Sequence, residues 1–161
     1  MKKTRSLSAS AVLILSIICC NYNAFAQCKV QSIVKTCKPV ISQPYEYNSY
    51  WMSEFTFGKN EKTVEGHFIA FQGEKYQIVF CSSGFSEKVV IKVYSRNSGP
   101  DKGRSKVYDS SENTDGSLWK FEPTKSGDYF IEYTIPPSKN GLAKKACVVL
   151  LIGSIIDTGA K

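Results

Sequence analysis

One histidine, fourteen carboxylates and a handful of clustered aromatics are the groups in this 161-residue chain with chemistry to offer. His67 lies in Gly66-His-Phe-Ile-Ala70, a strand-like setting, and no G-x-S-x-G turn exists to place a nucleophile beside it. Cleavage of a glycosidic bond needs two carboxylates at a set separation, for which Glu54, Glu65, Glu122 and Glu132 are the candidates. As residues of strand-like segments they read instead as solvated outer-face side chains. Neither G-x-G-x-x-G nor G-x-x-x-x-G-K-[ST] occurs, so nucleotide-phosphate loops have no support. No catalytic residue is assigned and no cofactor is expected.

Asp109, Glu112, Asn113 and Asp115 place hard oxygen ligands in one loop, but without EF-hand spacing, and Asp and Asn stabilise turns on their own account. Arg96, Lys102, Arg104 and Lys106 form a small basic group. Their alternation suits an edge strand guarded by cations as well as it suits a phosphate-binding stripe. Nucleic acid is not expected as a partner. The richest stretch is Tyr45-Glu-Tyr-Asn-Ser-Tyr-Trp51, in which Tyr45, Tyr47, Tyr50 and Trp51 crowd together after Pro44. Flat rings with polar tips suit glycan or peptide contacts. Packing of a neighbouring segment would use Tyr45 and Tyr47 equally well. Trp119 is a second candidate contact, although its alternation with Phe121 fits a core position too.

Lys2, Lys3 and Arg5, the apolar run from Ala11 to Ile18, and Ala24-Phe25-Ala26 give the charged, apolar and small-residue regions of an export signal cut before Gln27. The apolar run is broken by Asn21 and Asn23 and is short for a membrane span. With 21 basic against 14 acidic residues, setting aside the three basic residues of the signal leaves an excess of four, only mildly basic. Removing it also discards Cys19 and Cys20 and leaves Cys28, Cys37, Cys81 and Cys147. An even cysteine count in an exported chain predicts two disulfides, and no close cysteine pair argues for zinc. Of three possible connectivities, the nearest-neighbour choice joins Cys28 to Cys37 and Cys81 to Cys147. A straight helix across residues 29–36 would hold the first two about 13 Å apart, too far to bridge. That pairing therefore requires a bent stretch.

These groups must be held by extended segments. Beyond Pro39 no apolar spacing supports a long helix, while eight strands are predicted: Tyr50 to Phe57, Thr63 to Phe71, Lys75 to Cys81, Lys88 to Tyr94, Ser105 to Asp109, Ser117 to Glu122, Tyr129 to Ile135 and Ala146 to Ile152. Tyr129, Ile131, Tyr133 and Ile135 alternate with Glu132 and Thr134, as a strand with one buried face should. Cys147 to Ile152 is apolar on both faces and reads as central and covered. Hydrophobic content of 42% and charged content of 22% exclude a disordered chain. The expected fold is all-β, a two-sheet antiparallel β-sandwich of jelly-roll kind with a closed barrel as the runner-up. Its division is residues 1–26 as signal, 27–44 as an irregular N-terminal arm with a short helix, and 45–161 as the sandwich.

Gly73-Glu-Lys-Tyr-Gln-Ile-Val-Phe80, Val89 to Tyr94, Trp119-Lys-Phe-Glu-Pro123 and Ser126-Gly-Asp-Tyr-Phe-Ile-Glu-Tyr133 resemble the bacterial pre-peptidase C-terminal domain and its jelly-roll relatives, over residues 66–153. The resemblance implies a β-sandwich that accompanies secreted enzymes or surface proteins and does not itself catalyse. It supplies no catalytic residues, and here no peptidase domain precedes the module. The absence of any Asn-x-Ser/Thr favours a bacterial source. The expected function is a periplasmic or secreted, non-catalytic binding module of the bacterial envelope, contacting a glycan, peptide or partner protein. A small secreted hydrolase or an inhibitor is the alternative.

Overall fold

The computed structural model describes residues 28–85, 87–96, 103–112 and 118–155. The export segment, with Cys19 and Cys20, lies outside these residues. A short helix α1 (Val30–Cys37) is followed by a 3-10 turn (Lys38–Val40) and then by eight strands. These are β1 (Glu46–Phe57), β2 (Lys62–Ala70), β3 (Lys75–Ser83), β4 (Val90–Arg96), β5 (Arg104–Asp109), β6 (Leu118–Phe121), β7 (Gly127–Ile135) and β8 (Lys144–Ile155). They make two four-stranded antiparallel sheets, ordered β1-β8-β3-β6 and β2-β7-β4-β5. Successive strands from β1 to β4 switch sheets, which is the jelly-roll solution to burying one apolar face per strand.

The space between the sheets is filled by the alternating inward residues. Phe55, Phe57, Phe68, Tyr76, Ile78, Phe80, Ile91, Val93, Trp119, Phe121, Ile131, Tyr133, Val148 and Leu150 belong to one buried cluster. In β7 Tyr129, Ile131, Tyr133 and Ile135 are all buried as expected, and on the outer face Phe130 is buried too, beneath Arg104. In β3 and β8 the odd-numbered residues Val79, Cys81, Val149 and Leu151 are buried as well, which for β8 is the two-faced cover expected of it. Their cover is α1. Val30, Ile33, Val34 and Cys37 recur at helical spacing, and Val34 and Cys37 pack on that outer sheet face. The apolar two-faced character of β8 thus reflects one face on the core and one under the helix.

Two disulfides fasten this helix to the sheet, Cys28–Cys147 with Cα atoms 6.1 Å apart and Cys37–Cys81 at 6.5 Å. The expected Cys28–Cys37 and Cys81–Cys147 pairing is therefore corrected. Residues 30–37 are helical, which separates the first pair lengthwise. Cys81 sits opposite Val149 and Cys147 opposite Ser83, so the second pair occupies diagonal positions on one sheet face. Diagonal neighbours stand about 7–8 Å apart, at or beyond the reach of a bridge. Both thiols point up to the helix.

Past α1 the chain turns through a cis Gln43–Pro44 bond and crosses β8. At the crossing stands Gly153, where a Cβ would lie 2.7 Å from Ile41 Cγ2, so a side chain there would lift the arm. Gln77, only 2% exposed, secures the same turn: Ser42 N–H donates to its Oε1 at 2.9 Å, and its Nε2 donates to Ser42 Oγ at 3.2 Å.

Candidate functional site

The aromatic stretch divides among three environments. Tyr45 is half-buried at one end of the sandwich, where its hydroxyl donates to Glu122 Oε2 at 3.1 Å. Tyr47 is packed beside α1, with Lys38 Nζ 4.7 Å above its ring centre. Tyr50, Trp51 and Met52 are exposed, Trp51 by 62%. Trp119 is 3% exposed and belongs to the core, so it offers no ring to a ligand; its alternation with Phe121 on β6 faces inward. That candidate contact is corrected to a packing residue.

The exposure of Trp51 comes from its place in the sheet. By register Trp51 stands beside the core residue Leu150, on the face that looks toward the second sheet. Yet β1 is an edge strand, so nothing in its own sheet flanks the indole on the far side. Tyr50 and Met52 stand beside Leu151 and Val149 on the opposite face, at the margin of the helix cover.

Edge strands expose unpaired N–H and C=O groups, and proteins ordinarily blunt them with charge, shortness or irregularity. Four edges exist among the described residues. The β6 edge is four residues long and carries Lys120. The β5 edge carries Arg104 and Lys106, and β2 carries Lys62, Glu65 and His67 with Gly66 between. In contrast β1 runs for 12 residues, and the seven from Tyr47 to Ser53 hold no charge. Its one irregularity, at Asn48, leaves Ser49–Phe57 regularly paired with β8.

The groups considered for catalysis are engaged elsewhere. His67, exposed on the outer face of β2, has Nε2 3.0 Å from Asp128 Oδ1 and its ring 5.3 Å from that of Phe130. Arg96 also reaches Asp128, at 3.3 Å, and Arg104 stacks 3.5 Å over Phe130 while pairing with Glu65. Glu54 is paired with Lys145 at 2.9 Å and Glu132 with Lys92 at 3.9 Å. Lys106 bridges Asp109 and Glu112, both at 2.9 Å. Asp109 also accepts from the side chain and backbone N–H of Ser111. Burial alone would raise its pKa, but these hydrogen bonds bring it down to about 2. Asn113 and Asp115, the rest of the calcium candidate, lie outside the described residues, as does Lys102. Among the described residues no cluster of three metal-ligating side chains occurs.

A second concave surface opens where β1 begins and β2 ends. It is a cleft of about 560 Å³ lined by Tyr45, Phe71, Glu74, Lys75, Glu122 and Lys125, among others. Phe71 is 61% exposed on its wall. Sequence reasoning passed over Phe71, Glu74 and Gln77. The signal was Gln77 itself, an amide inside the otherwise apolar run Tyr76 to Cys81.

No family model matches this sequence, and no curated protein matches it. Among solved structures the fold is similar to that of Aeromonas hydrophila PliG, a periplasmic lysozyme inhibitor of g-type lysozyme. Identity there is 14% and the TM-score 0.43, over 71% of this chain and 91% of that one. It is also similar to a chain of Sulfolobus Turreted Icosahedral Virus at 13% identity and TM-score 0.43, covering 66% of this chain and 28% of the viral one. A chain of an archaeal virus with a triple jelly roll fold and turret assembly gives 12% identity and 0.42, covering 71% and 29%. These are likenesses of strand arrangement.

Proposed function

We propose that the protein is an exported, non-catalytic binding module of the bacterial cell envelope that captures a partner protein by strand addition at β1. One observation carries the reading: β1 is the longest edge among the described residues and has seven consecutive uncharged residues, three of them large, exposed and apolar or aromatic. An extended segment laid along Ser49–Phe57 gains main-chain hydrogen bonds for affinity, while alternate side chains give specificity. A suitable segment carries an apolar residue beside Trp51 on one face and beside Tyr50 or Met52 on the other. It avoids acidic residues opposite Glu46 and Glu54. Two disulfides support an oxidising compartment, periplasmic or extracellular. The resemblance to pre-peptidase C-terminal domains fits a module of this kind.

A photo-crosslinking residue at Trp51, with one at Val107 on the β5 edge as control, identifies the partner segment in living cells. A synthetic peptide of that segment should then slow hydrogen exchange of amides in Ser49–Phe57. Trp51→Lys should weaken peptide binding at least tenfold and change folding stability by no more than about 0.5 kcal/mol, as for a surface position. Protection that falls outside β1, or peptide binding unaffected by Trp51→Lys, would overturn the reading.

A further inference from the structure

We infer that the cleft at the end of the sandwich is a second binding site, independent of β1, and that it takes a neutral glycan segment. Its two carboxylates are held in place from the protein side. Glu122 accepts from buried Gln77 Nε2 at 3.0 Å on Oε1 and from Tyr45 on Oε2. Glu74 accepts from the hydroxyl of Tyr76, itself 6% exposed. Two of the three donors are the adjacent β3 residues Tyr76 and Gln77, whose side chains leave opposite faces of the strand to reach the lining residues Glu74 and Glu122. Burial, then hydrogen bonding to the carboxylates, pushes the Tyr45 and Tyr76 hydroxyls up, so both remain donors at neutral pH.

Carboxylates fixed in this way present their remaining lone pairs in a set geometry, which suits hydroxyl donors. Charge selects against an ionic ligand, since Glu74 and Glu122 are offset by Lys75 and Lys125 on the same walls. Phe71 adds an exposed ring, an apolar face on which the C–H side of a sugar can stack. The volume falls within the range of about 300–1,000 Å³ typical of small-ligand sites. Fixed acceptors, lysine donors and one exposed aromatic face, with no net charge, together match a polyhydroxylated neutral ligand. Tethering of the arm accounts for Gln77 and Glu122 and core packing for the Tyr76 ring, but neither explains the placement of Glu74 or exposed Phe71.

The test uses the mature disulfide-bonded protein and an array of neutral and N-acetylated oligosaccharides, with calorimetry on the chito- and malto-oligosaccharide series. Binding to at least one neutral series is expected. Phe71→Ala should weaken it about tenfold, and Glu74→Gln, which touches no arm residue, should do the same without moving the melting temperature. Trp51→Lys should leave glycan affinity unchanged, which separates this site from the β1 proposal. The inference falls if the array shows no neutral glycan bound, if only peptides or charged sugars bind, or if Phe71→Ala and Glu74→Gln leave affinity intact. A Glu122→Gln variant that loses stability but keeps full affinity would overturn the role of that carboxylate in binding.

Discussion

The two disulfides are nested, and this sets how much each contributes to stability. Cys37–Cys81 closes 44 residues and lies within the 119 spanned by Cys28–Cys147. With the inner bridge intact, the path from Cys28 to Cys147 runs to Cys37, across the bridge and on from Cys81, about 75 residues in all. Chain-entropy arithmetic then gives about 4.5 kcal/mol for the outer bridge and about 4 kcal/mol for the inner one. Replacing either pair with alanine should lower the melting temperature by roughly 16–18 °C, at about 4 °C per kcal/mol for a domain of this size. Replacing all four should remove about 8 kcal/mol, comparable with the whole stability of an ordinary domain, so unfolding is expected at room temperature. Thermal scans of the three variants with matched denaturant titrations read this directly. Non-reducing peptide mapping that joins Cys81 to Cys147, or a Cys37→Ala/Cys81→Ala variant within 1 kcal/mol of the parent, would refute the nested arrangement.

Trp119→Ala should cost about 3–5 kcal/mol by emptying a large core position, whereas Trp51→Ala should be close to neutral in the same urea titration. Equal losses would show that the two indoles are not divided between core and surface. The Asp109 carboxyl is lowered in the fold, so its contribution is fully present above its unfolded pKa of about 4 and is lost as pH falls toward 2. Asp109→Asn should therefore destabilise the protein at neutral pH and approach the parent only as pH falls through about 2. Urea midpoints across that range check this, and a gap that does not shrink between about pH 4 and about pH 2 would contradict it.

Much of the sandwich was legible because strands with one buried face must alternate, and β7 does so from Ile131 to Ile135. Both β1 and β8 extend beyond their expected bounds because their extra residues, 46–49 and 153–155 among them, pair across the sheet and are not marked by apolar alternation. Trp51 and Trp119 could not be told apart by pattern, since each lies in a strand-like run. Their fates depend on which strand ends a sheet, a property of topology invisible to local spacing. The cysteine pairing needed the seat of α1, which only its docking on Val79, Cys81, Val149 and Leu151 reveals. Gln77 carried a readable signal, an amide where every neighbour is apolar, yet its partners Ser42 and Glu122 lie 35 and 45 residues away. Half of the aromatic cluster is thus accounted for by packing, and the cleft beside it rests on long-range contacts.

The last strand among the described residues, β8, is the second of its sheet, wedged between β1 and β3. As the chain emerges N-terminus first into the compartment where it folds, the sheet of β2, β7, β4 and β5 can close as soon as β7 is available, while β1 and β3 have no strand between them until residues 144–155 follow. The Cys28–Cys147 bridge is subject to the same delay. Completion is therefore a late, all-or-nothing event that joins both ends of the chain at once, with the long-range pairings that make folding slow. A chain stopped short of β8 would hold an apolar core open on one side, and quality control would meet it as unfolded, never as a shortened but working module.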